Sequence, residues 1–286
     1  MTIKKEVLLT FVILLLALLI RGFKLDSNPP GLYWEEVALG YDAYSIWKTG
    51  ADHHGNPWPI VAFESFGDWK PSLYFYVTAP FVGLLGLNSL TVRLPSLFAG
   101  MAIVYGAGVL ANLVFKSLTQ QNNQKIKLLG MLVTALNPWA IHFSRAAWEV
   151  NLATALILWG VISGLLFLNS NKIKHLIYCS FLLILSMYTY HSARILAPVL
   201  GLSILVSLVR SFNNWPQLKK YVITNQLSLL ALLLSSLMVL APLITNLTNK
   251  STTQRFAETS IFSNLEIIQL SNDQKEFFNN SLISKL

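Results

Sequence analysis

Seven stretches of this chain are apolar over lengths that approach the thickness of a bilayer: 7–20, 95–115, 128–143, 150–168, 176–190, 195–209 and 222–245. Crossing the hydrocarbon core takes roughly 20 helical residues, so the shorter runs need their polar flanks or the shelter of neighbours. In lipid every backbone polar group must be satisfied within the structure, and single apolar runs do that as helices. With 54% hydrophobic and only 12% charged residues, 286 residues could not clothe a water-soluble domain of that size. The expected fold class is an all-α membrane protein of about seven transmembrane helices, with interfacial helices in a long first outer loop.

Charge placement orients these spans. An eighth stretch, 72–87, is short and carries Pro80, Gly83 and Gly86. If it stays in the interface, Lys4, Lys5, Lys116, Lys125, Lys127, Lys172, Lys174, Arg210, Lys219 and Lys220 all face the cytoplasm, accompanied only by Glu6. Every other acid then lies outside, as the positive-inside rule requires. Letting 72–87 span would put several lysine-bearing loops on the outer face. The expected topology is therefore multi-pass in a plasma or inner membrane, with the N-terminus cytoplasmic. Lys4 and Lys5 ahead of an apolar run resemble a signal peptide, but no small-x-small cleavage site follows, so an uncleaved first helix is expected. The chain divides into a transmembrane module, 1–245, whose first outer loop is 21–94, and a polar outer tail, 246–286. The lone Cys179 sits in an apolar run and has no partner for an intrachain disulfide. Basic residues scattered singly between apolar segments speak against nucleic acid as a partner.

The remaining ionisable groups gather on the outer side. Asn28-Pro29-Pro30-Gly31 turns the chain as it leaves the first span. Trp34, Val37, Ala38, Tyr41 and Tyr44 then recur at helical spacing, the pattern of an amphipathic helix on a bilayer. Glu35 and Glu36 stand at its start, where a helix N-terminus favours carboxylates. Solvated capping is the competing role for both. His53 and His54 are adjacent and cannot share one helix face as metal ligands. Lys70 precedes the interfacial stretch at headgroup height, where lysines also snorkel without specificity. Arg93, Arg145 with Glu149, and His191 with Arg194 edge the later spans. Each arginine, taken singly, is also what anchors a helix end. Together these residues place cations beside carboxylates at a water boundary, whereas transporters carry ionisable groups at mid-membrane. Arg grips phosphate bidentately and Lys as a point charge. A carboxylate near an acceptor hydroxyl can serve as general base.

Read in order, these segments are Glu35-Glu36 before Gly40-Tyr41-x-Ala43-Tyr44, then Thr49-Gly50-x-Asp52-x-x-Gly55, then Lys70-Pro71 before an aromatic helix. Arg93-Leu94-Pro95-Ser96, Phe143-Ser144-Arg145 with Glu149 four residues on, and Tyr190-x-x-x-Arg194 follow. The series, covering roughly 7 to 209, resembles the GT-C glycosyltransferases, particularly the protein O-mannosyltransferase and aminoarabinose-transferase-like branch (glycosyltransferase family 39-like). The resemblance implies that Glu35 occupies the position of a catalytic aspartate, with Glu36 beside it and Glu149 a second acidic position. It implies that Lys70 holds the lipid phosphate, with Arg93, Arg145, His191 and Arg194 completing the candidate phosphate-binding set. Two features depart from the pattern. Glu replaces the usual Asp at position 35, and Asp68-Trp69 precede Lys70 where some relatives have an acid immediately before the lysine. Relatives also run considerably longer, so the chain is expected to correspond to their N-terminal part.

The expected function is transfer of a sugar, with inversion, from a polyprenyl-phosphate donor to an acceptor hydroxyl on a protein, lipid or glycan at the outer face. Membrane lipid is a partner throughout. No cofactor is required by this chemistry, and a divalent cation is compatible with it; no dedicated metal ligand set is visible. Two alternatives stand beside it: a non-catalytic lipid-phosphate-binding protein or truncated subunit, and a flippase or transporter.

Overall fold

The structure, a computed structural model, describes residues 3–212 and 215–246. Its helices are α1 (Ile3–Gly22), α2 (Trp34–Thr49), α3 (Leu73–Leu85), α4 (Ser89–Thr119), α5 (Gln124–Leu136), α6 (Pro138–Arg145), α7 (Glu149–Ser170), α8 (Ile173–Met187), α9 (Ala193–Ser211), α10 (Trp215–Thr224) and α11 (Gln226–Thr245). Among the described residues, Ser89–Thr119, Glu149–Ser170, Ala193–Arg210 and Gln226–Thr245 are long and apolar enough to cross a membrane. A fifth crossing results if α5 and α6, bent by 61°, form one span. The chain is thus all-α in class, with four to five candidate membrane-spanning helices, fewer than the seven apolar runs.

The differences have local causes. Helix α1 has 20 residues, but Lys4, Lys5, Glu6 and Arg21 fall within it. Helix α8 has 15 residues. The run 128–143 breaks at Asn137-Pro138, because a residue ahead of proline is pushed out of the α region. Asn137 takes extended angles (φ −64°, ψ 118°), and its side chain accepts the Ala140 N–H at 3.0 Å, capping α6. The run 222–245 divides at Asn225 into the end of α10 and the start of α11. The ambiguous run 72–87 becomes α3, only 13 residues long with Pro80 inside it. Past Asn246, the expected polar tail lies outside the described residues.

The first long loop is a packed unit. Helix α2 presents Leu39, Ala43 and Ile46 to Tyr74, Phe75, Ala79 and Val82 of α3, and Val92 of α4 joins the same core. Trp47 near the end of α2 lies over Gly83 near the end of α3, and Glu35 at the start of α2 meets Lys70 just ahead of α3, so the two helices run side by side in the same direction. Trp34, Val37 and Tyr41 of the expected amphipathic stripe point away from this core and are about half exposed.

Between α2 and α3 the chain forms an element that the helical patterns did not announce. Strands β1 (Ala62–Ser65) and β2 (Asp68–Pro71) pair antiparallel, with Ser65 opposite Asp68 and Phe63 opposite Lys70. The two-residue turn has Phe66 at φ +55° and Gly67 at φ +76°, the doubly left-handed geometry that matches the twist of paired strands. Phe63 faces inward and stacks on Phe75 at 4.2 Å, which fixes the hairpin to α3. The hairpin therefore carries Lys70 on a rigid strand.

Two arginines tie the start of the chain to its middle. Arg21, fully buried, donates to the carbonyls of Ala135 at 2.8 Å and Thr134 at 3.0 Å in the last turn of α5. Arg145, at the end of α6, donates to Ile20 and Arg21 carbonyls in the last turn of α1, and to those of Phe23 and Asn28 beyond it. Each guanidinium satisfies carbonyls that a helix end leaves without intrahelical partners, where the helix dipole also favours positive charge.

Candidate functional site

A hollow of about 610 Å³ opens where four separate segments meet. Its walls include Tyr33, Glu35 and Glu36 from the start of α2, and Lys70 and Pro71 from the end of β2. His142 of α6, Trp148 and Glu149 at the start of α7, and Tyr190 and His191 from the turn between α8 and α9 complete them.

Glu35 and Glu36 are neighbours on a helix, so their side chains leave it roughly 100° apart. The Glu35 carboxylate lies in the hollow with its side chain 34% exposed, and its Oε1 accepts from Lys70 Nζ at 2.5 Å. Glu36 turns inward and is 2% exposed. Its Oε1 takes the Arg93 Nε–H at 3.0 Å and the Ala147 N–H at 2.8 Å; its Oε2 takes an Arg93 Nη2–H and the Tyr33 N–H, both at 3.0 Å. Burial would raise the Glu36 pKa, but the Arg93 hydrogen bonds and the two backbone donors more than offset it and hold the carboxyl below its ordinary value.

Arg93 is fully buried and uses its remaining donors on the carbonyls of Leu25, Pro29 and Gly31. All five of its N–H groups thus end on protein acceptors, and the clamp shapes the 25–31 loop that floors the hollow. Arg145 likewise gives its Nη donors to α1 and the turn after it. Arg194 donates from Nε to the Met187 carbonyl at 3.4 Å, while its two Nη atoms are buried without a hydrogen-bond partner among the described residues. None of these three arginines lines the hollow.

Lys70 is the cation that does. Its side chain is 9% exposed, and besides Glu35 it meets Asp68 Oδ2 at 3.3 Å, two residues back on the same face of the strand. Glu149 is the first residue of α7 and is 8% exposed. In the turn between α8 and α9, His191 Nε2 lies 2.8 Å from the Trp69 carbonyl. A carbonyl only accepts, so that nitrogen carries the proton. With the Leu73 N–H donating to the Tyr188 carbonyl at 2.8 Å, this bond fastens the α8–α9 turn to the hairpin and its helix.

The structure thus brings Glu35, Lys70, Glu149 and His191 around one hollow, places Glu36 at its floor facing Arg93, and keeps Arg93, Arg145 and Arg194 out of it. Sequence reasoning gave no role to Tyr33, His142, Trp148 and Tyr190. The signal for them was adjacency, since each stands beside or near a charged motif residue. Trp148 meets the His142 and Phe143 rings edge-on at 5.4 and 4.8 Å, forming an aromatic shoulder. His53 lies elsewhere: its Nδ1 is 2.7 Å from Asp42, and its ring is 3.8 Å from that of His54. Among the described residues no group of three or more His, Cys, Asp or Glu side chains is placed to hold a metal ion. Compared with known proteins, the chain matches no family model, no curated protein and no solved structure.

Proposed function

We propose that this chain is a membrane glycosyltransferase that moves a sugar from a polyprenyl-phosphate donor to an acceptor hydroxyl at the outer face. One observation carries the reading: Glu35 and Lys70, distant in sequence, meet as an ion pair in a hollow that also holds Glu149 and His191. A base and an anion-binding cation within reach of one another are what such a transfer needs. The Glu35 carboxylate takes the acceptor hydroxyl's proton as the oxygen attacks the anomeric carbon on the face opposite the phosphate. The bond from that carbon to the phosphate oxygen breaks, the configuration inverts, and Lys70 neutralises the charge left on the lipid phosphate. Glu149 orients the acceptor from the start of α7. Glu36, Arg93 and Arg145 act through structure, holding the loop that leads into the helix of Glu35.

In the same reading the chain has a GT-C-like topology of seven spans. Here α1, the bent α5–α6 pair and the short α8 cross with help from polar flanks and neighbours, the N-terminus is cytoplasmic, and α2, the hairpin and α3 lie at the outer interface. The lysine-marked loops on the opposite side support that orientation.

The test is transfer from a radiolabelled polyprenyl-phosphate sugar by purified protein in lipid nanodiscs. Glu35→Gln should lose transfer while still binding lipid phosphate, and Lys70→Ala should lose the binding. Undiminished transfer by Glu35→Gln removes Glu35 as the base.

A further inference from the structure

Lys70 does not wait alone for a phosphate. Its ammonium is shared between Glu35 Oε1 at 2.5 Å and Asp68 Oδ2 at 3.3 Å, contributed by two different elements. Glu149 lines the same hollow, and among its walls Lys70 is the one lysine or arginine. Glu36 is neutralised by Arg93 and does not alter this balance. An anion entering beside Lys70 therefore meets one ammonium and several carboxylates.

That arrangement is poor for holding a phosphate and good for letting it go. We infer that Asp68 is a positioning residue for product release, competing with the lipid phosphate for the Lys70 ammonium. The inference rests on the transfer reading above and assigns a role that reading leaves open. When donor binds, its phosphate draws Lys70 from Glu35, which frees the carboxylate to act as base. In the transfer Glu35 gains a proton and becomes neutral, while the lipid phosphate gains a negative charge. Once Glu35 sheds that proton to water, Asp68 and Glu35 together reclaim the ammonium, and the phosphate is left facing net negative charge. Asp68 suits this part because strand geometry keeps it on the Lys70 side of β2 in every state, whereas Glu35 reaches across from α2. Trp69, between them, points to the other face of the hairpin, where it lines a second hollow with Trp58 and Pro242.

The sign of one substitution separates this role from a merely structural one. Asp68→Asn removes the charge and keeps an oxygen for the Trp69 N–H, which now donates to Asp68 Oδ1 at 2.8 Å. Two unit charges about 5 Å apart near a protein surface interact strongly enough to change affinity by about tenfold or more. In nanodiscs containing a polyprenyl phosphate, Asp68→Asn should bind that lipid about tenfold tighter than wild type. It should also show a lower KM for donor, a lower kcat and stronger inhibition by added polyprenyl phosphate. Asp68→Glu, which restores the charge, should return both constants toward wild type. A structural role would instead loosen the hairpin and weaken binding. Equal or weaker binding by Asp68→Asn, with Lys70→Ala still abolishing it in the wild-type background, overturns the inference and leaves the transfer reading standing. Binding that ignores both substitutions overturns the two together.

Discussion

Arg93→Ala separates an anchoring arginine from a phosphate-binding one. The side chain is fully buried, makes a two-pronged ion pair with an equally buried carboxylate, and collects three backbone carbonyls. Removing one partner of a buried pair costs about 3–5 kcal/mol, because the other charge stays behind without compensation. The orphaned carbonyls add about 1 kcal/mol each where water cannot reach them. Water entering the space left by the side chain offsets part of that, so the loss is about 4–6 kcal/mol. At about 2–4 °C per kcal/mol for chains of roughly this size, Tm in detergent should drop by about 10 °C or more. Protease sensitivity should rise first in residues 23–36, the segment that the clamp holds. Arg93→Lys keeps the charge but not the fork, and should lie between the two. Replacing the pair by Arg93→Met with Glu36→Gln should recover much of the loss, since no buried charge is then left unmatched. If Arg93→Ala instead melts within about 1 °C of wild type, a shift too small for a lost buried pair, while lipid-phosphate binding disappears, the anchoring argument is refuted and Arg93 belongs with the ligand.

Other outcomes follow from the same geometry. Glu35→Gln should reduce transfer by at least about 10²-fold and leave Tm nearly unchanged, because Glu35 is partly exposed; a large Tm loss would contradict that separation. Glu36 has a folded pKa below its ordinary 4.5, so its contribution is fully present above that value and is lost as pH falls through the lowered folded value. Acid should therefore release the 23–36 segment to protease, and Glu36→Gln should flatten that pH dependence. At Gly108 an added Cβ would sit 2.5 Å from the Lys127 carbonyl oxygen of α5. Gly108→Ala should accordingly cost about 1–3 kcal/mol by overpacking, read as a lower Tm. Asn137→Ala removes the α6 cap and should cost about 1 kcal/mol, with a smaller Tm shift than Gly108→Ala if strain exceeds capping at these sites.

Much of this arrangement was legible in the residues because charge is rare in so apolar a chain. Lys70 and Glu149 stood out for that reason, and both line the hollow. The two glutamates show where such reading stops. Glu35 and Glu36 have the same chemistry and adjacent positions, and only the packing of α2 on α3, α4 and the α6–α7 junction turns one into the hollow and the other onto Arg93. Arginine was ambiguous for a related reason. A guanidinium binds phosphate and carbonyls with the same fork, and Arg93 and Arg145 meet carbonyls of a loop and a helix end whose positions no local pattern records. The hairpin was hidden differently. Its strands are four residues each, too short to show alternation, and Phe66 occupies a turn position that more often holds Asn, Asp or Gly. The break at Asn137-Pro138, by contrast, was written in the dipeptide itself, although the apolar run through it reads as one span.

The crossed arginines bear on how the chain is put together. The guanidinium of Arg21 ends on carbonyls more than a hundred residues downstream, and the carbonyls that close α1 are covered from equally far along by Arg145. As the ribosome delivers the chain, the carbonyls that end α1 leave it without these partners. They gain them only when the stretch through residue 145 has been made, so one end of this helix is completed by a segment synthesised long after it.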